Sequence, residues 1–142
     1  MRKGFTLLEL IVVIIIIGIL ATLGTQQYGR MTERARGAEA RMILGQIRSS
    51  AASYRLENNN SNVGFAAAYA GIGAGADQVP SVCAVTHYFS YAVTAGVANG
   101  VTLTATRCIA GGKTPQATAA LTLILTTDFV LGTDTWTGTG GY

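Results

Sequence analysis

LIVVIIIIGILA, running from Leu10 to Ala21, contains no polar side chain. Carried back to Phe5 and on to Leu23, the apolar stretch is broken by one charge, Glu9, and by Thr6 and Thr22. As a helix rising about 1.5 Å per residue it spans roughly 28 Å, close to the ~30 Å hydrocarbon core of a bilayer. Arg2 and Lys3 stand just before it. The positive-inside rule therefore predicts a cytoplasmic N-terminus, with everything after Leu23 on the far side of the membrane.

The rest of the composition fits a single small domain attached to that segment. Of 142 residues, 49% are hydrophobic and 12% charged, which excludes a disordered chain. The net charge of +3 does not point to nucleic acid, because two of the ten basic residues, Arg2 and Lys3, precede the apolar run. Arg30, Arg34, Arg36, Arg41, Arg48 and Arg55 form a basic stretch, interleaved with Glu33, Glu39 and Glu57. It reads as the solvated face of a helix. Contact with phosphates is expected only where many copies stand side by side.

An ordinary secretory signal ends in a small-residue cleavage site after its apolar run. Here Ala21-Thr22-Leu23-Gly24 puts leucine where a small residue is wanted. The small residue placed for a cut is Gly4, ahead of the run; a cut there removes four residues and keeps the apolar helix. Glu9 is costly in such a run unless it is paired or reaches the interface. Cleavage after Gly4 creates an α-amino group on Phe5, one helical turn away. The two can pair within one chain, or between chains offset along their axes.

Arg2-Lys3-Gly4-Phe5-Thr6-Leu7-Leu8-Glu9-Leu10 resembles the cleavage and methylation motif of type IV prepilins and type II secretion pseudopilins. The resemblance covers residues 1–28 closely and continues in general character to about Glu57. It implies that residues 1–4 are a leader removed by a membrane-embedded prepilin peptidase, that Phe5 is then N-methylated, and that Glu9 meets the Phe5 amine of another copy to set the register. It further implies an assembly ATPase and an inner-membrane platform protein as partners, and no cofactor. The location implied is the inner membrane, spanned once with the N-terminus cytoplasmic, and then an extracellular filament. One departure stands out: where relatives carry a proline after the apolar run, this chain has Gln26, with Gly18, Gly24 and Gly29 around it.

Residues 26–57 read as an amphipathic continuation of the helix. Ala40, Ile43, Leu44, Ile47, Ala51 and Tyr54 keep to one face, and Tyr28, Met31, Ala35 and Ala38 extend an apolar stripe upstream. Unbroken, the whole helix has about 50 residues, or roughly 75 Å. Asn58 to Asn62 should end it, since these side chains compete for backbone hydrogen bonds. Asn59-Asn60-Ser61 also fits the N-glycosylation pattern, a weak match. Residues 58–80 are rich in Gly and Ala and are expected to form an exposed loop with one helical turn at Phe65–Tyr69.

Residues 81–142 change to a period of two. Tyr88–Val93, Val101–Arg107 and Leu121–Thr127 are predicted strands, and Phe129–Trp136 is the candidate for a fourth. Asn99-Gly100 marks the first turn, and Gly111-Gly112-Lys113-Thr114-Pro115 separates the second strand from the third. The predicted class is α+β: a long N-terminal helix and an antiparallel sheet of three or four strands, pilin-like in arrangement. One sheet face should pack on Ile43, Ile47 and Tyr54, Trp136 should close the core edge, and the Gly-rich tail 137–142 should be exposed. Cys83 and Cys108, outside the cytoplasmic membrane, are expected to form a disulfide joining the start of the first strand to the end of the second.

No catalytic set is visible. His87, the only histidine, reads as a surface or half-buried residue within a strand. Gly71–Gly75 lacks the lysine of a phosphate-cradling loop. Two sulfurs and His87 are too few for a metal site. Asp128 and Asp134, six apart around Gly132, are weak calcium candidates. The function expected from the sequence is therefore structural, not enzymatic: a major pilin of a type IV pilus for adhesion, motility or DNA uptake. The alternatives are a pseudopilin in a short periplasmic pseudopilus and a minor tip pilin acting as a binding module.

Overall fold

The computed structural model describes residues 5–72, 79–115 and 121–139. Residues 1–4, expected as a leader ending in Gly4, most of the Gly71–Gly75 stretch, and the end of the Gly-rich tail lie outside the described residues. The chain divides into two compact units, Met1–Ala35 and Arg36–Tyr142. Helix α1 (Leu7–Glu57) runs through the first from Leu7 and opens the second. It is α-helical throughout, including Gly18 to Gly29, where the expected proline is absent.

In the second unit α1 is followed by α2 (Phe65–Ile72) and four strands, β1 (Phe89–Val97), β2 (Gly100–Arg107), β3 (Thr122–Asp128) and β4 (Thr133–Gly138). The strands pair in chain order as an antiparallel meander. The period of two sets the faces. Tyr91, Ala105 and Leu123 share one row, and Val93, Leu103 and Leu125 the next. Together with Phe89 and Val101 they pack on Ala40, Ile43, Leu44, Ile47 and Ala51 of α1, with Tyr54 at the margin. Threonines alternate with them on the opposite face, where a β-branched side chain with a hydroxyl suits a half-solvated pleat.

Several expectations need correction. β1 does not stop at Val93. A bulge shifts the register between Val93 and Ala95, and pairing resumes with Ala95 opposite Thr102. Ala95-Gly96, beyond the predicted end of that strand, is therefore strand. Gly96 is needed there, because a Cβ would come within 2.7 Å of the Asn62 carbonyl oxygen.

The 58–80 segment is not uniformly exposed. α1 does end at the asparagines: the backbone N–H and side-chain amide of Asn58 both donate to the Tyr54 carbonyl, and Asn59 and Asn60 turn into the left-handed region at φ 51° and 58°. Asn62, however, is fully buried and donates its amide to the Ala51 carbonyl at 2.7 Å. Phe65 is buried as well, its ring 5.4 Å from Tyr54 and 5.6 Å from Tyr69. The single expected helical turn is the full helix α2, held down by these contacts.

Trp136 does not seal the core. It lies opposite Leu125, yet remains 41% exposed. β4 is an edge strand whose inward positions are Asp134, Trp136 and Gly138: a charge, one ring and no side chain. That is too little apolar surface to close a layer, and every β4 residue is exposed. His87 likewise lies in the loop before β1, half-buried, with Nδ1 2.8 Å from the Thr86 hydroxyl.

Candidate functional site

The first unit has one chemical peculiarity, at the helix start. Thr6 is the N-cap of α1 and Glu9 sits three residues on. The Glu9 backbone N–H donates to the Thr6 hydroxyl at 3.3 Å. The Glu9 carboxylate accepts from the Thr6 backbone N–H at 2.9 Å and from its hydroxyl at 3.0 Å. This is a reciprocal capping box, which satisfies amide donors that a helix start would leave open. The pattern Thr-x-x-Glu was present in the sequence as its signal. The sequence reading instead joined Glu9 to Phe5. Phe5 is 86% exposed, and the structure brings Glu9 together with Thr6.

Beyond the cap, the apolar run finds no cover among the described residues. Leu8, Leu10, Ile14, Ile17, Leu20 and Leu23 are each more than half exposed. None of its membrane-length window is buried inside the chain. Burying one such side chain is worth about 1.5–3 kcal/mol. A run of this length left in water would therefore outweigh the entire stability of a domain, about 5–15 kcal/mol. Lipid, or other apolar helices, must surround it.

In the second unit the basic stretch proves to be structural. Arg41, Arg48 and Arg55 recur at seven-residue steps on one side of α1 and reach toward the edge of the sheet. Arg41 lies 5.8 Å from the Trp136 ring centre. Arg48 pairs with Asp134 at 2.8 Å and stacks near Phe129. Arg55 donates to the Ala98 carbonyl at 2.8 Å. Arg41 is exposed and Arg48 and Arg55 are half-buried, so the solvated face expected from the sequence also ties β4 and the β1–β2 turn to the helix. Burial raises the Asp134 carboxyl, but hydrogen bonds from Arg48 and Thr127 and the guanidinium charge outweigh it and hold the group below its ordinary value.

Asp128 is also engaged, accepting the backbone N–H groups of Val130 and Leu131 at 2.8 and 3.0 Å. Both calcium candidates thus have partners from their own chain. Among the described residues no three His, Cys, Asp or Glu gather to hold a metal.

Two further polar anchors were missed. Glu39 accepts from the Tyr88 backbone N–H at 3.0 Å and from the Tyr91 hydroxyl at 3.3 Å. Burial, with the charge and hydrogen bond of Glu39, pushes the Tyr91 hydroxyl well above its ordinary value. Arg107 is 1% exposed and donates to the carbonyls of Tyr88 and Thr114. The two-residue period that puts Val101, Leu103 and Ala105 inward puts Arg107 inward too, which was its sequence signal. Beside it, Cys83 and Cys108 are disulfide-bonded, with Cα atoms 5.7 Å apart. The bond ties the segment ahead of β1, not the strand itself, to the residue after β2.

Residues 1–25 match the family described as the prokaryotic N-terminal methylation motif. The chain is similar to the type IV major pilin protein PilE1 of Neisseria gonorrhoeae, 38% identical over 71 residues, covering 46% of this chain and 43% of that one. It is similar to the type IV major fimbrial protein FimA of Dichelobacter nodosus, 34% identical over 65 residues, covering 46% and 41%. A fimbrial protein of Pseudomonas aeruginosa is 41% identical over 56 residues, covering 39% and 36%. The chain matches less than half the length of these relatives. No solved structure gave a significant match. Motif, helix and helix-on-sheet architecture agree, and the N-terminal half of the chain is similar to that of proteins named type IV major pilins.

Proposed function

We propose that this chain is the structural subunit of a type IV pilus. A peptidase removes residues 1–4 and Phe5 is methylated. The subunit waits in the inner membrane with residues 5–25 in lipid. Assembly then moves that run from lipid into a bundle of the same segment from other copies, and the heads form the outer wall. The observation that carries this reading is the apolar stretch of α1, left uncovered by the described residues of its own chain. The relatives bear the names of pilus and fimbrial proteins, which supports the pilus over the pseudopilus.

Glu9 keeps one role before assembly and takes another after it. In the free chain its carboxylate closes the cap with Thr6. Once Phe5 carries a free amine, a neighbouring copy offers a cation to the same carboxylate, and the ion pair fixes the axial offset. The chain binds no nucleotide in this scheme, so an assembly ATPase and a platform protein supply the work.

The test is Glu9→Ala in cells that make the unaltered filament. The variant is expected in the membrane with a folded, disulfide-bonded head, while sheared surface filaments fall at least tenfold. Filaments at normal yield from Glu9→Ala alone would refute the pairing role.

A further inference from the structure

The sheet face turned away from α1 carries a lattice of threonines. Thr102, Thr126 and Thr135 lie side by side across β2, β3 and β4. Thr104, Ile124 and Thr137 form the next row, and Thr106 stands opposite Thr122 beyond it. The bulge in β1 adds Thr94, whose hydroxyl donates to the Thr102 carbonyl at 3.1 Å and lies 3.3 Å from the Thr104 hydroxyl. Pairing and pleat fix the spacing at about 4.8 Å from strand to strand and about 6.8 Å between outward positions along one strand. Threonine is stiff at χ1, so each hydroxyl and methyl keeps its place.

Two features separate this face from an ordinary solvated sheet. The first is charge. The surface of a small domain commonly has ~25–35% charged side chains, and edge strands in particular carry them. Here the outward positions of β1, β2 and the edge strand β4 include no charged residue. The single carboxylate, Asp128 at the end of β3, is turned into the β3–β4 turn, where it accepts from Val130 and Leu131. The second feature is vacancy. Thr126, Thr135 and Thr137 are exposed, and none of the described residues takes up their hydroxyls.

We infer that this face binds neutral polysaccharide whose chains pack in ordered layers. The chemistry of the face selects that occupant. Without charge it offers no counter-ion to nucleic acid, an acidic peptide or anionic lipid. Arg41, Arg48 and Arg55, which could, lie with α1 on the other side of the sheet. An apolar helix would leave the hydroxyls unpaired, at a cost. A pyranose polymer has the complementary pattern: neutral hydroxyls that both donate and accept, with C–H groups between them to meet the methyls and Ile124. Each contact is weak, but a stiff array loses little freedom in making many at once. The inference goes beyond the filament reading and does not need it; recurrence of the face along a filament would add avidity.

The test is co-sedimentation of the detergent-solubilised full chain with microcrystalline cellulose. Retention is expected, and it should be the same at low and high salt, since no charge takes part. Thr135→Lys, which sets a solvated charge at the open end of a row, should lower retention at least tenfold. Thr126→Val keeps the shape and removes the hydroxyl, and should lower it about threefold. Ser50→Lys, exposed on α1 across the sheet from this face, should leave it unchanged. The three variants should keep the unaltered Tm.

No retention of the unaltered chain would overturn the inference, and so would equal retention of all three variants. Retention abolished by salt would move the contact to the arginines. Slowed growth of ice crystals without retention on cellulose would assign the lattice to ordered water. Thr135→Lys that binds cellulose normally but forms no filaments would assign the face to a second copy. Each of these contradicts the inference, and none touches the filament reading, which fails only if the unaltered chain makes no filament.

Discussion

Reducing the Cys83–Cys108 bond should destabilise the head by an amount that chain statistics fix in advance. The two cysteines are separated by 25 residues. Closing a loop of that size removes about 12 cal/mol/K from the unfolded chain, or about 3.5 kcal/mol at room temperature. The second unit spans residues 36–142. With about 2.1 cal/mol/K of unfolding entropy per residue, 3.5 kcal/mol corresponds to a fall in Tm of about 15 °C. The assay is thermal unfolding of the full chain in detergent, followed by near-ultraviolet circular dichroism, with and without reductant. Cys83→Ser with Cys108→Ser should unfold at the temperature of the reduced protein, because the effect acts through the unfolded state. A fall below about 4 °C, with both thiols titrating as free, would refute the reasoning and move the stability of the head to its core and its polar anchors.

Two more perturbations address those anchors. Glu39→Ala removes the acceptor for the Tyr88 N–H and the Tyr91 hydroxyl, leaving two donors unpaired at a cost of about 1–3 kcal/mol. Denaturant titration checks this, and Glu39→Gln, which keeps an acceptor oxygen, should cost less than Glu39→Ala. The lowered pKa of Asp134 means that its ionised form favours the folded head. That contribution is complete above the unfolded value near pH 4 and disappears as pH falls through the lower folded value. Asp134→Asn should therefore melt below the unaltered protein at pH 7, and the gap should close toward about pH 2; a gap independent of pH would contradict the ion pair with Arg48.

What the sequence disclosed and what it withheld divide along physical lines. The apolar run, the alternation of the strands and the helix face at Ala40 to Tyr54 are periodic signals, and periodicity survives without knowledge of neighbours. The asparagine stop after Glu57 and the disulfide were also legible, the first from side-chain competition and the second from compartment. The bulge at Val93–Ala95 was not, because no local pattern marks it, and neither was the approach of Gly96 to Asn62, a contact between segments far apart in the chain. Trp136 misled because its size suggests burial, whereas an edge strand cannot supply the apolar neighbours that burial requires. The arginines do lie on a solvated face, but their partners there, Asp134, Trp136 and the Ala98 carbonyl, arrive only when the sheet folds onto α1. The Thr6–Glu9 cap and the inward place of Arg107 were readable from spacing; at Glu9 the family resemblance drew the reading to Phe5 instead.

The central claim is that residues 7–25 of α1 exchange lipid for copies of themselves once the leader is gone. An electron cryomicroscopy reconstruction of filaments sheared from cells that express the chain tests it most directly. The account predicts density that begins at Phe5, with Leu10 to Leu23 enclosed among the same residues of neighbouring subunits. A polymer whose density begins at Met1, or in which that segment faces solvent, would contradict it.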